Sequence, residues 1–163
     1  MNVVQISRSR GGLPKRGLRE ARIGPLGVEG DRHAHPNIHG GPHQALLLVC
    51  AEVVEELSEQ GYPLFFGALG ENITTRGLDS RTLRTGQSYR LGSGVVIELT
   101  KPRGPCKALD VYDERLKSVV YDAEVKAGNP QSPRWGMSGF YASVVTGGLL
   151  VPGAPIVFLE HDV

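Results

Sequence analysis

Apolar residues in this chain fall in short runs, each cut off by glycine or proline. Residues 3–7 open with β-branched side chains and stop before Gly11, Gly12 and Pro14, which reads as a strand followed by a loop. The unbroken apolar run at 45–49 has the pattern of a strand buried on both faces. Further strands are expected at 73–75, 87–91, 95–100, 139–145 and 155–160, with a weaker one at 18–23. Gly92, Ser93 and Gly94 join two of these as a hairpin. Residues 52–60 instead show helical spacing, with Val53, Val54 and Leu57 on one stripe, Gly61 as the stop and Pro63 beyond it. A second helix is expected from an N-cap at Asp113, through Leu116, Val119, Val120 and Ala123, to Ala127, where Gly128, Asn129 and Pro130 end it. The pattern predicts a single α+β domain over residues 1–163, mainly β. Its core is barrel-like, made of short, mostly antiparallel strands, with two or three peripheral helices.

Composition narrows the function classes. Eighteen Lys/Arg are nearly cancelled by seventeen Asp/Glu in 163 residues. That balance argues against a disordered chain, a nucleic-acid binder and a membrane-surface arm. The longest apolar run, 45–51, is far below the roughly 20 residues needed to cross a bilayer. Residues 1–10 hold no hydrophobic signal region, so the cytoplasm is the expected location. Two cysteines cannot build a disulfide framework.

The two cysteines have different surroundings. Cys50 follows ALLLV and reads as a small buried hydrophobe. Cys106 sits in KPRGPCKAL, with Lys101, Arg103 and Lys107 nearby and Pro102 and Pro105 holding the loop extended. Cations and a helical turn starting near Lys107 would both favour a thiolate there, usable as nucleophile, persulfide carrier or soft metal ligand. Four of the five histidines, His33, His35, His39 and His43, fall within eleven residues. Pro36, Gly40, Gly41 and Pro42 forbid a helix, so the segment is a loop. A zinc site there would need a carboxylate such as Asp31. The pair Gly40–Gly41 can leave backbone N–H groups free for an anion. In GENI, Asn72 offers a donor and an acceptor to a polar ligand, and Glu71 could carry a proton.

Taken in order, EGDRHAHPNIHGGPHQAL, GALGENITTRGL, TGQSYRLGSGVVIELTKPRGPCKAL and GFYASVVTGGLLVPGAPIVF resemble the MOSC domain family. This is the C-terminal domain of molybdenum cofactor sulfurases and its stand-alone relatives. The resemblance implies a strand-rich, barrel-like fold that binds the molybdenum cofactor or a related sulfur species. It assigns the chemistry, and the metal ligand, to Cys106 of Arg103-Gly104-Pro105-Cys106. It places His39, Gly40, Gly41 and Asn72 in the same site, Asn72 and His39 as catalytic candidates. Lys101, Arg103 and Lys107 suit the cofactor phosphate, with Gly40–Gly41 opposite. Gln87 and Ala154 stand where the family usually has acidic residues, which predicts altered turn chemistry.

Three functions compete at this point. One is a molybdoenzyme reducing N-hydroxylated small molecules, with electrons from a separate reductase. The second is a non-catalytic persulfide carrier or cofactor chaperone using Cys106. The third is a histidine-based zinc hydrolase. Neither nucleic acid nor membrane is an expected partner.

Overall fold

The computed structural model describes residues 1–32 and 40–161. Eight strands form one mixed sheet: β1 (Asn2–Arg8), β2 (Arg16–Gly17), β5 (Leu46–Cys50), β6 (Ile73–Arg76), β7 (Ser88–Leu91), β8 (Val95–Pro102), β9 (Phe140–Thr146) and β11 (Ile156–Leu159). Their order is β11-β7-β8-β9-β5-β6-β1-β2. A smaller sheet has the order β10-β3-β4, from β3 (Ala21–Gly24), β4 (Gly27–Val28) and β10 (Gly148–Leu150). Among the described residues every strand pair is antiparallel except β5–β6. The chain is α+β and mainly β, as its sequence predicts.

Alternation explains the longer strands. In β8, Val95, Ile97 and Leu99 are buried while Glu98 and Lys101 face out, so one face covers the core. All five residues of β5 are buried, as its continuous apolar run demands. Strands β2, β4 and β10 are only two or three residues long and give no periodicity to read.

The sheet is open rather than barrel-like, since β11 and β2 are its edges. Its two sides nonetheless meet along a seam. Asn2 and Pro155 form an isolated bridge, Val3 N donates to Ala154 O at 2.8 Å, Gly153 N to Val3 O at 2.7 Å and Ile156 N to Met1 O at 3.0 Å. No continuous ladder closes there among the described residues.

Helix α1 (Ala51–Glu59) buries Ala51, Val53, Val54 and Leu57, and Gly61 follows it at φ 100°. The second expected helix is two short ones, α2 (Leu116–Val120) and α3 (Ala123–Lys126). Tyr121 and Asp122 between them are extended, and the Asp122 side chain accepts from Val125 N at 2.9 Å. A capping carboxylate thus restarts the helix instead of continuing it. Asp113 is not the N-cap of α2, a position held by Arg115. It closes a turn by accepting from Arg115 N at 2.8 Å.

Gln87 shapes the turn that leads into β7. Its side-chain oxygen accepts from Arg84 N at 2.8 Å and from the Tyr89 hydroxyl at 3.2 Å. Ala154 is a buried residue of the seam. Among the described residues, no helix is long and apolar enough to cross a membrane.

Candidate functional site

Strand register brings the candidate residues to one band across the main sheet. Ile73 pairs with Ile6 on β1 and with Leu48 on β5, while Ala142 of β9 pairs with both Leu46 and Leu99. The first residues of β5, β6 and β9 and the last of β1 and β8 therefore meet in one register band, which β8 and β9 leave on the side opposite to β5 and β6. Glu71 and Asn72 lead into β6 there, Gly40 and Gly41 precede β5, and residues 103–106 leave β8.

The Cys106 loop is fixed from beneath by Arg103. Its backbone N donates to Gly139 O at 2.8 Å, and its Nη1 donates to Ser138 O at 3.3 Å. The Ser138 hydroxyl donates in return to Arg103 O. Arg103 is only 6% exposed. Burial lowers the pKa of its guanidinium, with Tyr141, Cys106 and Glu71 acting the other way. Among the described residues, its one side-chain hydrogen bond is to a neutral carbonyl. Such a cation is a strong site for an anion.

Cys106 is half-buried and reduced, and it caps a 3₁₀ turn, Lys107–Val111, where the sequence predicts a helical start. Lys107 and Lys101 are exposed. Lys101 Nζ lies 5.9 Å from the centre of the Tyr141 ring. Tyr141 belongs to the site although nothing in its local sequence marks it, because an aromatic in a strand reads as an ordinary β residue. Burial raises its phenol pKa, Arg103 pulls it down and Cys106 pushes it up. Cys50 is 3% exposed, and burial pushes its thiol up to about 11. It packs as the small buried hydrophobe its setting suggests.

Gly40 and Gly41 have φ of 87° and 88°, in the region that favours glycine. Gly41 has ψ 173° and precedes a 3₁₀ turn, Pro42–Gln44. The Thr100 hydroxyl donates to His43 O at 2.6 Å and ties that turn to β8 beside the Cys106 loop. His39, with His33 and His35, lies outside the described residues. Among the described residues no group of three His, Cys, Asp or Glu could hold a metal ion, so the zinc reading gains nothing.

Asn72 is 2% exposed and turned into the protein. Its Oδ1 accepts from Leu47 N at 3.1 Å, and its Nδ2 donates to Ser7 O at 3.2 Å and to Asp31 Oδ2 at 2.8 Å. Glu71 is fully buried beside it. Its Oε1 accepts from Leu69 N at 3.1 Å, and burial pushes its carboxyl up to about 7 despite backbone hydrogen bonds and the Arg103 charge. A cleft of about 540 Å³ lined by Cys50, Glu52, Glu56, Asp79, Arg81 and Met137 lies at the far ends of β5 and β6, and none of the candidate residues lines it.

The sequence model of the MOSC domain matches residues 35–157, about three quarters of the chain. The chain belongs to the MOSC domain family. Over 97 residues it is 34% identical to protein YiiM of Escherichia coli, a stretch covering 57% of this chain and 43% of that protein. A protein of Gibberella moniliformis named reductase is 28% identical over 142 residues, 83% of this chain and 23% of its own. The matched stretches thus cover less than half the length of either relative. The crystal structure of YiiM from Geobacillus stearothermophilus superposes with a TM-score of 0.71 at 24% identity, covering 98% of this chain and 75% of that one. That likeness establishes the fold.

The residues present fit a molybdenum cofactor. A half-exposed thiol suits a soft metal, and a buried guanidinium and two exposed lysines suit a phosphate. Two left-handed glycines add backbone N–H groups to that set.

Proposed function

We propose that this MOSC domain binds a molybdenum cofactor and reduces N-hydroxylated small molecules, with electrons delivered by a separate reductase. The observation that carries the reading is Arg103, a buried cation under the Cys106 loop whose side chain, among the described residues, is hydrogen-bonded only to a carbonyl. The name of the Gibberella relative points the same way.

Cys106 would ligate the metal through its thiolate, and Arg103 with Lys101 and Lys107 would hold the cofactor phosphate. Bound there, the cofactor supplies two-electron oxo-transfer chemistry. Gly40 and Gly41 present backbone donors to the anion. Tyr141 stands opposite Lys101, near Arg103 and Cys106, and can orient a ligand with its phenol. Net reduction of R–NH–OH to R–NH₂ consumes two electrons and two protons and releases water. Glu71, with its carboxyl near neutrality, can hold a proton below the site. The half-exposure of Cys106 also suits a persulfide carrier or cofactor chaperone, in which the thiol must meet a second protein.

Elemental analysis of protein made in a cofactor-synthesising host separates the two. Near-stoichiometric molybdenum, with amine formed from 6-hydroxylaminopurine by wild type and lost in Cys106→Ser, is the expected result. Metal-free protein carrying a persulfide on Cys106 would replace the enzyme reading with the carrier.

A further inference from the structure

Asn72 has no hydrogen-bonding capacity left for a ligand in its two donors. A carboxamide has two N–H donors and one acceptor oxygen. Here the donors go to Ser7 O and Asp31 Oδ2, and the oxygen receives Leu47 N. Its backbone is committed too, with Asn72 N donating to Leu47 O at 2.9 Å and Ser7 N to Asn72 O at 2.7 Å. At 2% exposure it has almost no surface to offer.

What Asn72 does touch is informative. Asp31 stands where the chain leaves for residues 33–39 and Gly40–Gly41, and Leu47 stands where it has returned into β5. One side chain therefore holds both roots of that segment. Asp31 is itself anchored. Lys15 Nζ donates to both of its oxygens at 2.7 Å, and Ser9 N donates to Oδ1 at 3.0 Å. The side chains of Lys15 and Asp31 are 6% and 4% exposed, so the pair is buried. Arg32 N adds a bond to Ser9 O at 3.0 Å. The seat of Lys15 depends on Gly67, at φ 96°, where a Cβ would come within 2.1 Å of Lys15 O. Only glycine permits that approach.

We infer that Asn72, Asp31 and Lys15 form an anchor that sets where Gly40–Gly41 stands against the Cys106 loop, and that they are positioning residues which do not touch the ligand. The anchor stands on the hydrogen bonds above, whereas its effect on ligand retention rests on the proposed function. A buried ion pair whose carboxylate is bonded at both oxygens suits this task, because removing one member leaves another uncompensated and the geometry has no cheap alternative. Asn72 and Asp31 must then act as one unit, and their losses must not add.

The test uses Asn72→Ala, the neutral pair Lys15→Met/Asp31→Leu, the triple variant, and Lys15→Met/Asp31→Asn, which keeps an acceptor for Asn72. Amide hydrogen exchange at Gly40, Gly41 and Leu47 is read in cofactor-free protein, and molybdenum per chain in loaded protein. Asn72→Ala and Lys15→Met/Asp31→Leu are expected to speed exchange at these amides at least tenfold, with β8 and β9 unchanged. Each should lower bound molybdenum at least fivefold, and the triple variant should fall less than twofold further. Lys15→Met/Asp31→Asn should stay within twofold of wild type. Unchanged exchange in Asn72→Ala overturns the anchor. Full molybdenum in Lys15→Met/Asp31→Leu beside loss in Asn72→Ala also overturns it, since Asn72 would then meet the ligand itself. Faster exchange in these variants, beside a wild type that itself takes up no molybdenum, would keep the anchor and overturn the proposed function. If Asn72→Ala does not fold, Asn72→Ser takes its place in the same comparison.

Discussion

Arg103 and Ser138 hold each other in both directions. The guanidinium donates to the serine carbonyl, and the serine hydroxyl donates back to the arginine carbonyl. The exchange locks the loop that carries Cys106 to the residues leading into β9, and it does so without neutralising the cation. The backbone is satisfied while the charge is kept available.

Removing the two halves of this exchange should have opposite signatures. Ser138→Ala strands a buried carbonyl and is expected to cost about 1–3 kcal/mol, seen as a lower melting temperature. Arg103→Met keeps much of the volume and removes a buried charge, a gain that offsets the Ser138 carbonyl it leaves unpaired, so the melting temperature should hold. Bound molybdenum in Arg103→Met should fall at least tenfold. Differential scanning calorimetry and metal analysis on the same samples check both.

The cysteines should separate in a brief iodoacetamide pulse at neutral pH. Cys50 is 3% exposed with its thiol near 11, so little of it is accessible thiolate. Cys106 is half-buried on a loop. Peptide mapping should find Cys106 alkylated and Cys50 intact until the protein unfolds. Equal labelling would remove the basis for assigning the site to Cys106.

Glu71 should impose a pH dependence of known sign. Its folded pKa, about 7, lies above the ordinary 4.5, so between these values the native state binds more protons than the unfolded one. Stability from this group therefore falls as pH rises from about 4.5 to about 7 and is level beyond. Arg103 and Tyr112 are the titratable groups that feel its charge. Glu71→Gln should flatten that slope and be relatively more stable at pH 8 than at pH 5. Denaturant unfolding of both proteins across this range measures the difference, and parallel curves would contradict it.

Gly41→Val tests the loop. A Cβ at Gly41 would meet nothing within 4 Å among the described residues, so the backbone angle rather than crowding carries the effect. The φ of 88° with ψ 173° is what a valine resists, at about 1–3 kcal/mol. Molybdenum retention should drop severalfold while the protein remains folded. Unchanged retention in folded protein would reduce Gly40–Gly41 to a turn.

The sequence shows its chemistry best where that chemistry is contiguous. Lys101, Arg103, Cys106 and Lys107 lie within one loop, so the order of residues alone displays a cation-flanked thiol. Helix α1 is equally plain, because Gly61 marks its end. The split between α2 and α3 is hidden, since the apolar spacing runs straight through Asp122 and only its capping bond reveals the break. Lys15, Asp31 and Asn72 are separated by 16 and 41 residues; the sequence marks Asn72 as a ligand contact and Asp31 as a carboxylate for zinc, but nothing in it joins the two or points to Lys15. Burial of a charge is decided by what folds over it, which no local pattern records. A barrel-like closure is expected from many short strands, yet residues 153–156 meet β1 through single bonds and the ladder stays open.

That seam has a practical consequence. Residues 1–3 occupy backbone groups of residues 153–156 immediately before β11, a sheet edge on which Val157 and Phe158 are exposed. Trimming those three residues would uncover Gly153 N, Ala154 O and Ile156 N next to two apolar side chains, the kind of free template that neighbouring chains add to. A shortened protein would then fail by self-association in concentrated solution, while Arg103, Cys106 and Asn72, whose bonds described above do not involve residues 1–3, keep their places.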